Sequence, residues 1–225
     1  MIIGMLIFDG MTHLDFGGPW EVFWRLPDCE VKVVARSLQP VTAKGGLRIL
    51  PSTTIEGAPQ LDLIFVPGGE GVLSVMEDRK TLEFLRRQAQ QAKFVTSVCT
   101  GALVLGAAGL LKGYRATTHW DSINILPIFG VTALPDRVVT DRNRITAGGV
   151  TAGIDFALMI AAQLFGADCA KSIQLSMEYN PAPPFSCGHP SIADRALVDD
   201  LKRRRASSQQ VRLETARRAA KMYCG

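Results

Sequence analysis

Long apolar runs are missing from this chain. No window approaches the roughly 18 uninterrupted apolar residues of a bilayer-spanning helix, so no membrane crossing is expected. Met1 to Phe8 holds a short apolar stretch with no basic residue ahead of it, cut off by Asp9-Gly10, which is not the build of a secretory leader. Histidine is scarce, three in 225 residues. His13, Cys187 and His189 make no metal-ligand spacing, so no metal is expected. The five cysteines, at positions 29, 99, 169, 187 and 224, are odd in number and scattered. That argues against a disulfide framework and for reduced thiols in a cytoplasm. Internal repeats and low-complexity tracts are lacking too.

A general excess of charge is also missing. The formal net charge is +4, but residues 194 to 225 hold nine Lys or Arg against four acids, +5, which leaves about −1 for the first 193 residues. The basic tail "LKRRRASSQQVRLETARRAAKMY" is read as a solvated helix whose Leu197, Leu201, Val211 and Leu213 dock on the body. A helix-turn-helix would need a further helical pair, so nucleic-acid binding is not expected.

What is present is an alternation of buried apolar runs and helical stretches, the mark of βαβ units around a mainly parallel sheet. Strands are expected at 2–8, 30–36, 61–67 and 93–98, and a small edge hairpin at 40–56 around Gly45-Gly46. Two short strands are expected within 137–149 around a turn at 141–143. Helices are expected at 17–26, with Pro19 in the first turn and Gly18 as cap, and at 79–92, 100–110, 119–128 and 150–166, the last closed by Gly166. The fold class is an α/β three-layer sandwich: one domain over residues 1–190, with residues 191–225 as a C-terminal helix docked on it. A Pro-rich irregular segment at 180–190 joins the two.

Sheets of this kind place ligands beyond the carboxyl ends of their strands. Three segments should therefore meet: the loop with His13 and Asp15, the loop "PGGEG" at 67–71, and Cys99 after the strand 93–98. Ser97-x-Cys99-x-Gly101 has the small residues that a sharp strand-to-helix elbow demands. The following helix would favour thiolate at its amino end. A small buried side chain capping a strand satisfies the same pattern, and spacing leaves both readings open. Asp15, expected just outside its helix, would have a raised pKa in a dry pocket beside a thiol, suiting proton transfer. The backbone at Gly69 and Glu70 could meet developing negative charge. Glu70 is otherwise a solvated acid at a helix start, and His119 in "ATTHW" either contacts the site or is a buried structural histidine. Gly148, Gly149 and Gly153 are expected to allow close approach to the elbow. Cys29, Cys169 and Cys224 have no activating neighbour.

"VPGGEG", "TSVCTGALVLGAAGLLKGYRATTHW", "ITAGGVTAGIDFALMIAAQLFG" and "QLSMEYNPAPPF" together resemble the DJ-1/PfpI superfamily, and within it the bacterial isocyanide (isonitrile) hydratases. The resemblance implies a flavodoxin-like sandwich related to the class I glutamine amidotransferases, a homodimer, no cofactor, and conversion of an isocyanide and water to an N-substituted formamide. It implies Cys99 as nucleophile, Asp15 as acid/base and Thr100 as their hydrogen-bonding partner. Protease-like relatives commonly carry histidine where this chain has Thr100, and DJ-1-type glyoxalases or deglycases usually place glutamate where it has Asp15. Those glyoxalases, and small-molecule or oxidation-sensing domains like the amino-terminal domains of AraC-type regulators, are the alternatives.

Overall fold

Residues 1–223 are described by the computed structural model, and Cys224 lies outside them. In chain order the elements are β1 (Ile2–Leu6), α1 (His13–Phe23), β2 (Glu30–Ala35), β3 (Val41–Thr42), β4 (Arg48–Ile49), β5 (Thr53–Thr54), β6 (Leu63–Val66), α2 (Val72–Glu77), α3 (Arg79–Ala89), β7 (Phe94–Val98) and α4 (Gly101–Ala107). There follow β8 (Arg115–Ala116), a 3-10 segment (Trp120–Phe129), β9 (Thr132–Ala133), β10 (Val138–Asp141), β11 (Arg144–Ala147), α5 (Ala152–Phe165), α6 (Ala167–Ser176) and α7 (Arg195–Tyr223).

The main sheet runs β10-β11-β7-β6-β1-β2-β5. All its pairings are parallel except β10 with β11. Val66 stands beside Ser97, and Ala147 beside Val98, so β6, β7 and β11 end at one edge. Helices α1, α5 and α6 pack together, and α2, α3, α4 and α7 with the 3-10 segment form a second group. These are the two outer layers of the expected sandwich. Strands buried on both faces must be apolar throughout, which is why β6 reads Leu-Ile-Phe-Val with no polar alternation. Between the sheet and α1 and α5, Phe65 of β6 meets Phe23 and Phe156 at ring-centre distances of 6.3 and 6.0 Å, each ring able to withdraw 150 Å² or more from water, roughly.

Several expectations need correction. The first helix starts at His13, not at residue 17, so Asp15 lies in its first turn and Pro19 sits inside it. Pro19 gives up the N–H that would bond the Asp15 carbonyl. Its ring is accommodated because α5 presents Gly153, where a Cβ would come within 2.9 Å of it. The edge hairpin exists, but β3 and β4 form a separate two-stranded sheet, and it is β5 that edges the main one. α2, α6 and the parallel pair β8/β9 were not anticipated; two-residue strands and a six-residue helix are too short for periodicity to register. The stretch near 119–128 is a 3-10 helix containing Pro127 and closed by Gly130.

The largest correction concerns α7. Of the four apolar positions expected to dock it, Leu213 packs half-buried on the core and Leu201 is half-buried, but Leu197 and Val211 are exposed, and the buried positions are Arg212, Thr215, Ala216 and Ala219. Small side chains let the helix backbone come close, and Arg218 pairs with Glu77 of α2 at 2.7 Å.

Candidate active site

Cys99 follows β7 directly with φ +56°, a left-handed conformation that costs a non-glycine residue on the order of 1 kcal/mol. Its N–H is held by the carbonyls of Ala147 (3.0 Å) and Gly148 (2.8 Å), and its own carbonyl accepts the Thr118 hydroxyl at 2.6 Å. The corner is thus fixed from both neighbouring segments. It also needs glycine beside it. A Cβ on Gly101 would fall 2.2 Å from the Val66 carbonyl oxygen, and one on Gly68 would fall 2.5 Å from the Thr100 nitrogen.

The predicted convergence is found. The Thr12 N–H donates to the Gly68 carbonyl at 2.9 Å, and Gly68 N–H donates to Asp15 Oδ2 at 3.0 Å. The first and second loops are therefore laced together beneath the elbow. Asp15 is completely buried, and its Oδ1 has no aligned hydrogen-bond partner among the described residues. Burial raises its pKa to about 7, against the lowering effect of the Cys99 thiol and the Gly68 N–H.

The thiol departs from expectation. Burial first, and the Asp15 charge second, push Cys99 up, and these outweigh the Thr100 N–H and hydroxyl that favour thiolate. The amino end of α4 acts in the anticipated direction but does not win. In the resting site the proton stays on sulfur.

Thr100 Oγ1 accepts the Gly69 N–H at 2.9 Å and donates to the Gly69 carbonyl at 3.2 Å. The Gly69 N–H is thus engaged with Thr100, which weighs against it as an oxyanion donor. Gly69 instead serves shape, with φ +126° and no room for a side chain against Thr12, Gly10 and Met11. Glu70 contributes its carboxylate at the cavity wall, ion-paired with Lys44. His119 Nδ1 accepts the Asp121 N–H at 3.3 Å, capping the 3-10 segment. Burial, then Arg205, lowers its pKa to about 4, so it stands neutral at the cavity wall. Gly148 touches the elbow through its carbonyl, Gly149 makes room for the His119 ring, and Gly153 for Pro19.

A cavity of about 210 Å³ opens onto Cys99, Thr100, Gly69, Glu70 and His119. A larger one, about 650 Å³, lies alongside and shares His119 and Val150, but Cys99 is not on its wall. The chemistry therefore belongs to the smaller cavity. Asp15 lines neither cavity and touches the thiol from within the core. His13 and Cys187 are exposed, and among the described residues no cluster of three His, Cys, Asp or Glu is placed to hold a metal.

Sequence reasoning missed the fourth wall. Arg205, Ser208, Gln209 and Arg212 of α7 line the active cavity. Their spacing, i, i+3, i+4 and i+7, is one helical stripe that continues into the buried Ala216 and Ala219, and it was available in the sequence. The apolar positions of the basic tail drew attention to the wrong face. Asp121 anchors this wall, accepting from Gln209 Nε2 at 2.6 Å and pairing with Arg205 at 3.7 Å.

Comparison with known proteins agrees with this architecture. A family model described as DJ-1/PfpI matches residues 1–163. An isonitrile hydratase of Pseudomonas putida is 53% identical over 218 residues, covering 97% of this chain and 96% of that one. The HTH-type transcriptional regulator GbdR of Pseudomonas aeruginosa is 35% identical over 179 residues, covering 76% of this chain but 48% of its own length. A solved ThiJ/PfpI family protein from Pseudomonas syringae superposes with a TM-score of 0.93 at 42% identity, over 96% of this chain and 90% of that one.

Proposed function

The chain belongs to the DJ-1/PfpI family, and on that premise we propose that it is an isocyanide hydratase, a hydro-lyase whose nucleophile is Cys99 and whose proton carrier is Asp15. One observation carries the mechanism: the ionisable group touching the buried thiol is a carboxyl, not an imidazole. The position after Cys99 is Thr100, and the histidine at the cavity, His119, is neutral and caps the 3-10 segment. The likeness to the isonitrile hydratase over nearly the full length supports the choice of substrate.

In the reaction, Asp15 takes the proton from Cys99 as sulfur attacks the terminal isocyanide carbon, then delivers it to that carbon. A C–S and a C–H bond form, the S–H bond is broken, and the product is a thioimidate, R–N=CH–S–Cys99. Water adds to its carbon while the nitrogen gains a proton. Collapse of the adduct breaks the C–S bond, returns a proton to sulfur and releases R–NH–CHO. The route balances without an oxidant or a cofactor. Thr100 meets the changing charge on sulfur through its N–H. Neutral His119 can donate from Nε2, its Nδ1 being engaged as an acceptor.

This assignment sets the pH dependence. Below about 7 the Cys99–Asp15 pair holds two protons and lacks a base. Above it, the pair holds one proton, the state that can deprotonate the thiol. Wild-type protein should therefore convert p-nitrophenyl isocyanide to the formamide with a kcat/KM that rises through about pH 7 to a plateau. A profile that falls over that range, or no turnover at all, would be incompatible with the scheme.

The reading extends to setting and assembly. A cytoplasmic location is supported by four free thiols among the described residues. Among the same residues no helix is long and apolar enough to cross a membrane. A homodimer would cover apolar side chains that the single chain leaves in solvent, Met159, Leu175, Phe185, Ile192 and Leu197 among them. Sedimentation equilibrium should return twice the chain mass, and a monomer at micromolar concentration would refute the dimer.

A further inference from the structure

Arg212 is the charged group at the cavity wall that has no ion-pair partner among the described residues. It reaches the cavity wall from α7, only 9% exposed. Of its guanidinium donors, Nη1 alone has a hydrogen bond among the described residues, to the neutral hydroxyl of Ser122 at 3.3 Å. Its Nε is buried without a partner. A buried cation with most of its donors unmet is costly unless something anionic completes it.

The other charges at this wall are accounted for. Lys44 is paired with Glu70, and Arg205 with Asp121, which also accepts from Gln209. Three cations therefore face two carboxylates on the cavity lining, and Arg212 is the surplus. Cys99, Asp121 and Glu70 all lie near enough to act on its charge, but neither carboxylate forms an ion pair with it among the described residues. An unsubstituted alkyl isocyanide cannot match this arrangement, because a terminal carbon with weak acceptor character does not satisfy a planar fork of N–H groups. A carboxylate does so with two parallel hydrogen bonds.

We propose that Arg212 is a substrate-binding residue that takes a carboxylate, so that the isocyanides this site prefers are small isocyano carboxylates. The proposal rests on the hydratase reading and adds its substrate class. The cavity, about 210 Å³, admits an isocyano group and a carboxylate joined by a short linker. With the isocyano carbon at Cys99, the acid end lies toward α7, against a wall whose own carboxylates are already neutralised by Lys44 and Arg205.

The test compares isocyanoacetate with its methyl ester, which keeps the reacting group and removes the charge. Wild-type protein should favour the acid by roughly tenfold or more in kcat/KM. Arg212→Met should bring the acid-to-ester ratio in kcat/KM to about one, and Arg212→Lys should keep part of the preference, since a point charge replaces the fork. Equal treatment of acid and ester by wild type overturns the proposal, as does an Arg212→Met protein, shown folded by circular dichroism, that loses both substrates equally. Should Arg212→Met not fold, the wild-type ratio of acid to ester decides by itself. Turnover of the ester without preference for the acid defeats the substrate class alone; turnover of neither defeats the hydratase reading with it.

Discussion

Cys99→Ala reduces isocyanide turnover to the rate in buffer, a loss of at least about 10³-fold, because no other thiol among the described residues lines the cavity to take its place as the covalent nucleophile. Cys29 and Cys169 are half-buried away from the cavity, and Cys187 is exposed in the irregular segment before α7. The loss should come without unfolding. Alanine has no more difficulty than cysteine at φ +56°, and the N–H bonds to Ala147 and Gly148 and the bond from Thr118 all use backbone atoms of residue 99. Formamide production followed by absorbance, together with a thermal melt, checks both halves. Cys99→Ser should fare almost as badly: a hydroxyl is a far weaker acid than a thiol, and a carboxylate titrating near 7 cannot activate it.

Asp15→Asn should move activity and stability in opposite directions. Removing the proton carrier is expected to lower kcat by roughly 10²- to 10⁴-fold. The stability effect follows from burial. In the folded chain Asp15 titrates at about 7, against 3.8 as the ordinary value. Between those values the folded state holds a proton that the unfolded state has released, so the wild-type chain loses stability as pH rises from about 4 to about 7, and the penalty stays at its full size above that. At pH 8 this amounts to as much as about 4 kcal/mol. Asparagine carries no such penalty and keeps an oxygen for the Gly68 N–H. Denaturant melts should show the variant more stable than wild type at pH 8 and not at pH 4. Equal stability differences at both values would mean that Asp15 is not held in a charge-disfavouring pocket, and the assignment of acid and base would lose its physical ground.

The sequence disclosed the site better than its surroundings. Cys99, Asp15 and the glycine loop could be placed together because parallel sheets bring strand ends to one edge, and because close approach of backbone leaves a readable trace in glycine: Gly68 and Gly101 have no space for a Cβ. Charge balance was less legible. Whether a helix amino end or burial governs a thiol depends on how much protein surrounds it, and no spacing reports that; here burial governs. The start of α1 was misplaced because Pro19 looked like a helix beginning, when a glycine 134 residues later, Gly153, allows it to sit mid-helix. The α7 wall was missed for a related reason. Its inward stripe is polar and small, Ser208 and Gln209 at the cavity and Arg212, Thr215 and Ala216 buried, whereas apolar periodicity pointed to Leu197, Leu201, Val211 and Leu213, of which Leu213 packs on the core and Leu197 and Val211 are exposed.

The central claim is that isocyanide carbon becomes bonded to Cys99 during turnover. Intact-protein mass spectrometry of an acid-quenched reaction measures it directly. Wild-type chain should carry a fraction heavier by the mass of one isocyanide, mapped by peptide analysis to Cys99 and missing from Cys99→Ala. Steady formamide production with no such species, or an adduct found only at exposed Cys187, would contradict the account.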